Sequence, residues 1–251
     1  MRYVSLIKNI DNWWLYLGAK FNLTRKDPLL FKTRRGVRLE VPLRLLHTFK
    51  EIFMEECYMH GLKTEVPGSP VVFDIGANAG YFSLYAASRF ENPTIYAFEP
   101  MPANFAQLKR NVSLNKTCRI LPFNQAVGKE EATVTMVTDS LEGFSTVAKI
   151  ADDGPRDDKG YRIEVSSTTI QKIFDDNRLE VCDFLKMDCE GAEYEIFYNC
   201  PREYLKRIKY LGIEVHGEVA PLRRFFDDNG FLTYPKFMVK GADLGLFCLF
   251  C

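Results

Sequence analysis

From residue 71 onward the apolar positions come in short, nearly unbroken runs that stop at Gly, Asn, Asp or Pro and give way to stretches of helical spacing. Strand-like runs fall at 71–75, 94–98, 119–123, 182–187, 209–215, 231–237 and 244–250. Helical spacing falls at 80–90, 102–114, 169–176, 191–199 and 218–228. This alternation predicts an α/β fold: a mostly parallel, Rossmann-like seven-stranded sheet with helices on both faces. The segment 132–166 breaks the rhythm, because two strand-like pieces, 132–137 and 161–166, flank a polar stretch from Asp152 to Gly160. That pattern predicts a hairpin with a long mobile tip. Ahead of the loop Pro67-Gly68-Ser69-Pro70 the pattern differs. Residues 1–22 read as one amphipathic helix, 29–41 as a hairpin turning at Arg34-Arg35-Gly36, and 43–58 as a second helix. The chain therefore divides into an N-terminal helix and hairpin extension, 1–69, suited to substrate or oligomer contacts, and a domain spanning 70–251.

Composition narrows the picture. With 251 residues and 47% hydrophobic content the chain can bury one large core. Its 33 basic and 33 acidic residues cancel, so no whole-molecule field favours nucleic acid, and none is expected as a partner. The apolar run 13–19 falls far short of the ~18 residues a membrane span needs, and the start lacks a signal-peptide core. No transmembrane segment and a cytoplasmic location are expected. The 7 cysteines are an odd number at scattered positions, which suits free thiols in a reducing compartment. Cys248 and Cys251 have C-x-x-C spacing but no second pair, and read as strand packing. Between Lys20 and Arg44 eight basic residues face only Asp27 and Glu40. That window reads as a solvated hairpin face, with peripheral contact to an anionic membrane surface as its alternative. Trp13, Trp14, Tyr16 and Phe21 read as packing onto the core or onto a second subunit, which makes a homo-oligomer an expectation to test.

The chemistry starts at Val71-Val72-Phe73-Asp74-Ile75-Gly76-Ala77-Asn78-Ala79-Gly80. A buried strand, a glycine turn and a helix N-terminus let backbone approach a ligand at the carboxyl edge of a sheet. The second strand ends in Glu99-Pro100, where a carboxylate can accept hydrogen bonds from both hydroxyls of a ribose. A dinucleotide site wants G-x-G-x-x-G, whereas Asn78 stands at the middle glycine here. Asp74 repels a phosphate and suits a cation, so a nucleoside with positive charge and no phosphate is favoured.

Two later motifs, Lys186-Met187-Asp188-Cys189-Glu190-Gly191-Ala192-Glu193 and Ile213-Glu214-Val215-His216-Gly217, join that turn. With them the chain resembles the FkbM family of S-adenosylmethionine-dependent O-methyltransferases across roughly 70–251. The resemblance implies a class I methyltransferase fold and S-adenosyl-L-methionine as cofactor. The expected cofactor contacts are Asp74, Gly76, Ala77, Asn78 and Gly80 in the turn, Tyr81 and Phe82 after it, Glu99 and Pro100 at the ribose, and Gln125 and Ala126 near the adenine. Asp74 is expected to face the methionine amino group. The resemblance also implies a small-molecule or glycan acceptor, methylated on a hydroxyl of a sugar, glycolipid, polysaccharide or related natural product. Two other readings stand beside it: a different nucleotide-dependent Rossmann-like enzyme such as a dehydrogenase, and a cofactor-binding protein without catalysis.

Residues two apart on a strand share a face, so Lys186 pairs with Asp188 and Glu214 with His216, and neighbouring strands bring all four together. Methyl transfer to a hydroxyl gains from a base; His216 is the first expectation because imidazole titrates near neutrality, and Asp188 the second. The plainer reading makes His216 a strand cap and Lys186 half of a structural ion pair. Asp188, Glu190, Glu214 and His216 also offer ligands suited to magnesium or manganese. Cys189 reads as packing, since neighbouring carboxylates disfavour a thiolate.

Overall fold

The computed structural model describes residues 2–59, 66–138, 148–150, 161–237 and 244–250. The first stretch departs from the expected single helix. It forms α1 (Arg2–Asn9) and α2 (Trp14–Lys20), because the hairpin edge captures the chain between them. Ile10 bridges to Thr33, the Asp11 N–H donates to the Lys32 carbonyl at 2.7 Å, and the Asn12 amide both donates to the Leu30 carbonyl and accepts from the Lys32 N–H. Backbone groups left open on a sheet edge win over continued helix. The hairpin itself, β1 (Leu29–Lys32) and β2 (Arg38–Val41), forms where its alternation predicts, with Gly36 at φ 88° in the turn.

The expected helix over 43–58 is instead wound at three pitches: a 3-10 turn at Leu43–Leu45, α3 (Leu46–Lys50), and a π turn at Glu51–Glu55 that ends on Glu56 at φ 53°. Widening the last turn lets Phe53 and Met54 sink into the core while Glu51 and Ile52 face the cavity described below.

The remaining chain alternates as its periodicity predicts. Its first half contains β3 (Val71–Ile75), α4 (Tyr81–Arg89), β4 (Thr94–Phe98), α5 (Pro102–Ser113), β5 (Arg119–Phe123), β6 (Ala126–Val127), β7 (Thr133–Thr138) and β8 (Ala148–Ile150). Then follow β9 (Tyr161–Thr168), α6 (Ile170–Asp176), β10 (Cys182–Met187), α7 (Glu193–Tyr198), the short α8 (Arg202–Leu205), β11 (Ile208–Glu214), α9 (Val219–Asp228), β12 (Phe231–Phe237) and β13 (Leu244–Phe250). The main sheet has the order β12-β13-β11-β10-β3-β4-β5. Five neighbours, β11 to β5, run parallel, and β13 runs antiparallel to both β11 and β12. The break at 132–166 is a hairpin: β7 pairs antiparallel with β9, with β8 added on β7 and β6 on β9. The stretches 139–147 and 151–160, which include the segment expected to be mobile, lie outside the described residues. So do Cys251 and the side chain of Cys248. Among the described residues no helix is long and apolar enough to cross a membrane.

Strand alternation builds two cores, one on each sheet face. Val72 and Phe184 point into a cluster with Phe82, Ala86 and Leu108, while their neighbours Phe73 and Leu185 point into another with Phe174, Phe197 and Phe226. The extension supplies much of the first cluster through Leu6, Ile10, Phe31, Phe49 and Phe53. Rings step from the hairpin to α4: Phe31 on Phe49 at 4.4 Å, Phe49 on Phe53 at 5.1 Å, Phe53 on Tyr85 at 5.5 Å. Residues on either side of position 69 thus share one core. Two asparagines of the α5 region complete the join. Asn115 accepts from the Arg38 N–H at 2.8 Å and donates to the Arg38 carbonyl at 2.7 Å; Asn111 accepts from the Glu40 N–H at 2.7 Å and donates to the Ala79 carbonyl at 2.8 Å.

Candidate active site

At the carboxyl end of β3 the chain turns through Gly76 at φ 71° and Asn78 at φ 50° before α4 begins. Gly76 is required twice over, by its conformation and because a Cβ there would stand 1.9 Å from the Asp188 carbonyl oxygen. The Ala77 N–H donates to the Phe98 carbonyl at 2.8 Å, and the Asn78 N–H donates to a Glu99 carboxylate oxygen at 2.7 Å. The other Glu99 oxygen accepts from the Met101 N–H at 2.9 Å. Burial pushes the Glu99 carboxyl up to about 7, against the pull of those two N–H groups.

One cavity opens over this turn. Of the expected cofactor contacts, Gly76, Ala77, Asn78, Tyr81 and Phe82 line it from the turn and α4, while Glu99, Pro100, Gln125 and Ala126 line it from the ends of β4 and β5. Asp74 and Gly80 do not. Asp74 is fully buried; one carboxylate oxygen accepts from the Ser83 N–H at 3.1 Å and the Ser83 hydroxyl at 2.6 Å, and the other lies 3.5 Å from the Lys186 ammonium. Here it holds the first turn of α4 and does not face the cavity where it was expected to meet an amino group. Gly80, at φ 83°, gives α4 its approach to α5, since a Cβ there would meet Leu108 at 2.5 Å.

Lys186 lies beside Asp74 in the parallel register and lines the cavity. Its ammonium donates to the Gly76 carbonyl at 2.6 Å and the Ile75 carbonyl at 3.2 Å, and lies 5.2 Å from the Tyr58 ring centroid. Burial works to discharge it, but Asp74 and Asp188 outweigh burial and hold its pKa above the ordinary lysine value. Lys186 is therefore a fixed cation tying β10 to the glycine turn.

Asp188 and Glu214 reach the same cavity from the ends of β10 and β11. Between them stands Tyr58, whose hydroxyl is 2.8 Å from Glu214 and 3.1 Å from Asp188. Burial, with Asp188 opposite, raises the Glu214 pKa. His216 is not brought in with them. β11 ends at Glu214, so the two-residue period no longer governs position 216, and the imidazole turns out of the cavity lining. It lies instead among carboxylates: 3.2 Å from Glu193, 3.4 Å from Glu190 and 4.0 Å from Asp188. Burial pulls its pKa down, but Glu193, Asp188 and Glu190 together push it up to about 9. That environment favours the imidazolium, which has no lone pair for a substrate proton, and the ring stands outside the cavity lining.

Three acids shape the surroundings. Glu190, at φ 52° on the left-handed side, is pushed up to about 7 by burial, as is Glu51. Glu193 is fully buried and accepts from the Cys189 and Gly191 N–H groups at 3.0 and 3.2 Å, closing the loop that carries Glu190 and orienting His216. Among the described residues Asp188, Glu190 and His216 bring donor atoms within 4.8 Å of one another; Glu214, expected with them as a metal ligand, falls outside that group. A cation there would have to displace the proton that His216 holds. Burial and nearby carboxylates push the Cys189 thiol well up, which leaves it packing. Tyr58, Glu51 and Glu193 were not among the expected site residues. Glu193 could have been found as the last acid of its own motif; Tyr58 and Glu51 carry no local signal.

The profile of the methyltransferase FkbM domain matches residues 74–233. Methyltransferase 1 of Beauveria bassiana (strain ARSEF 2860) is 26% identical over 234 residues, covering 86% of this chain and 90% of that protein. The 31-O-demethyl-FK506 methyltransferase FkbM of Streptomyces tacrolimicus is 28% identical over 208 residues, covering 70% and 78%. Among solved structures, M. capricolum TrmK with S-adenosyl-homocysteine aligns at a TM-score of 0.46 and 13% identity, covering 73% of this chain and 62% of that one. The chain belongs to the FkbM methyltransferase family.

Proposed function

We propose that the protein transfers a methyl group from S-adenosylmethionine to a hydroxyl of a natural product or sugar. The observation that carries the reading is that one cavity holds both the glycine turn with Glu99 and the carboxylates Asp188 and Glu214. Its lining fits the donor chemically. Glu99 has lone pairs left for ribose hydroxyls, and the acids Glu51, Asp188, Glu190 and Glu214 suit a ligand bearing a sulfonium and an ammonium while disfavouring a diphosphate. The donor supplies a methyl group activated by positive sulfur. The protein's residues have the remaining tasks. Gly76, Asn78 and Glu99 hold the nucleoside; Lys186 keeps the turn and β10 in register; Asp188 and Glu214 take the hydroxyl proton as it is lost. A hydroxyl acceptor is favoured because a weak nucleophile needs such a base, and because the Streptomyces relative is named for an O-methylation of a natural product. A magnesium or manganese ion on Asp188, Glu190 and His216 is the second reading of the acidic corner, resting on their shared reach.

The test is incubation with labelled S-adenosylmethionine and fractionated small-molecule and glycan extracts, followed by mass spectrometry. Label in an ether-linked methyl group is expected. Label confined to nitrogen or carbon, or none in any fraction despite cofactor binding, would overturn the reading, and loss with chelator restored by manganese would favour the metal.

A further inference from the structure

Trp13 and Tyr16 pack against the core of the extension as expected, but Trp14 and Phe21 do not: they are 56% and 61% exposed. Two helical turns apart, they lie on one side of α2 and its C-cap. Leu23, just beyond, is 80% exposed, and its N–H donates to the Gly18 carbonyl at 2.7 Å, which folds it back against α2. On α1 the outer face carries Tyr3, Val4 and Ile7, also exposed, while Leu6 turns into the core. Lys20 joins the two helices. Its ammonium donates to the Tyr3 hydroxyl and stands 5.2 Å from the Tyr3 ring centroid and 5.4 Å from that of Phe21. Protruding apolar side chains thus have cations set among them: Arg2 and Lys8 are exposed on α1, and Arg25 and Lys26 are exposed just after Leu23. The nearby acids are engaged elsewhere, Asp11 by Arg34 at 3.3 Å and Asp27 by the Leu43 N–H at 3.0 Å.

We infer that this face docks on an anionic membrane surface, with Trp14, Phe21 and Leu23 entering the interfacial layer and Lys20, Arg25 and Lys26 meeting lipid headgroups. Aromatic rings beside long cationic side chains suit that boundary, where rings are buried and ammonium groups stay wet. The same charges disfavour other occupants. A second copy in a two-fold contact would set like cations against each other, and a nucleic acid would find in Val4, Ile7 and Leu23 no face on which a base can stack.

The test is flotation of the full chain with vesicles of phosphatidylcholine alone and of phosphatidylcholine and phosphatidylglycerol in equal parts. Binding to the mixed vesicles is expected to be ~10-fold or more tighter and to weaken with salt. Brominated lipid should quench the tryptophan emission of the wild type more than that of Trp14→Phe. Phe21→Ser combined with Leu23→Ser should weaken binding by on the order of 10-fold or more, and so should Lys20→Glu combined with Lys26→Glu. Melting temperatures near that of the wild type are expected throughout, since these side chains are exposed. None of them lines the cavity, so loss of lipid binding and loss of methyl transfer are separate results. Equal affinity for the two vesicle types, binding to neither, equal quenching in Trp14→Phe, or folded variants that bind as the wild type does would overturn the inference. So would self-association abolished by the Phe21→Ser and Leu23→Ser pair, which makes a second copy the occupant, or tighter binding to a single-stranded oligonucleotide than to the mixed vesicles.

Discussion

At the scale of single residues, charge state decides roles. The carboxylates around His216 favour its imidazolium form, so its contribution to stability has a direction. Its folded pKa, about 9, lies above the ordinary value of about 6.5. The stabilisation is complete below about 6.5 and is lost as pH rises through about 9. His216→Asn should cost on the order of 2 kcal/mol of stability at pH values below neutrality, read as a lower melting temperature, and much less in strong alkali. Rate separates it from the carboxylates: Asp188→Asn should cut methyl transfer by ~10²-fold or more at unchanged cofactor affinity, whereas His216→Asn should lose less. A dead His216→Asn beside an active Asp188→Asn would reverse the assignment. Glu99 has the opposite linkage. Its carboxyl, raised to about 7, accepts from both ribose hydroxyls in full strength only when ionised, so affinity for S-adenosylmethionine should weaken as pH falls below about 7. Glu99→Gln should weaken binding and flatten that dependence in calorimetry. The placement of His216 outside the cavity lining also marks where sequence stops being legible. Alternation carried Lys186, Asp188 and Glu214 to one edge, but it cannot announce that β11 ends at Glu214.

At the scale of elements, the glycines separate turns that need a conformation from turns that need space. Gly191, at φ 109°, has nothing within 4 Å of an added Cβ, whereas Gly76 meets the Asp188 carbonyl at 1.9 Å. Gly191→Ala should therefore cost about 1–2 kcal/mol of conformational strain, and Gly76→Ala should cost more than ~3, since β3 and β10 would have to part. Thermal or urea melts order the two; equal losses would mean that the contact relaxes. The strands β3, β4 and β10 were readable because both their faces are buried and their runs are apolar throughout. The first helix was not, since its interruption depends on hydrogen bonds from Asp11 and Asn12 to the distant Leu30 and Lys32, which no local pattern encodes.

At the scale of the molecule, the extension is part of the enzyme. Phe31, Phe49 and Phe53 cover one face of the sheet, and Tyr58 completes the acidic corner across separations of 130 and 156 residues to Asp188 and Glu214. That sequence distance is why the corner's third member was invisible before the fold was known. A chain begun at residue 70 should bind hydrophobic dye and lose cooperative unfolding, because several large buried side chains, each worth roughly 1.5–3 kcal/mol, leave their partners bare. A sharp melt near that of the full chain would show that the extension is dispensable.

The clasp by Asn111 and Asn115 carries a different kind of consequence. On the hairpin both amides grip the peptide groups of Arg38 and Glu40; Asn111 also holds the peptide carbonyl of Ala79 in the glycine turn, and Asn115 that of Asn111. What is fastened is main chain, which every residue but proline offers alike. The hairpin edge is thus free to drift in sequence, trading charge or bulk at the rim, while the two asparagines are not. Relatives adapted to different acceptors should vary on the hairpin and keep the amides, so the gripping side chains rather than the gripped ones are where descent leaves its mark.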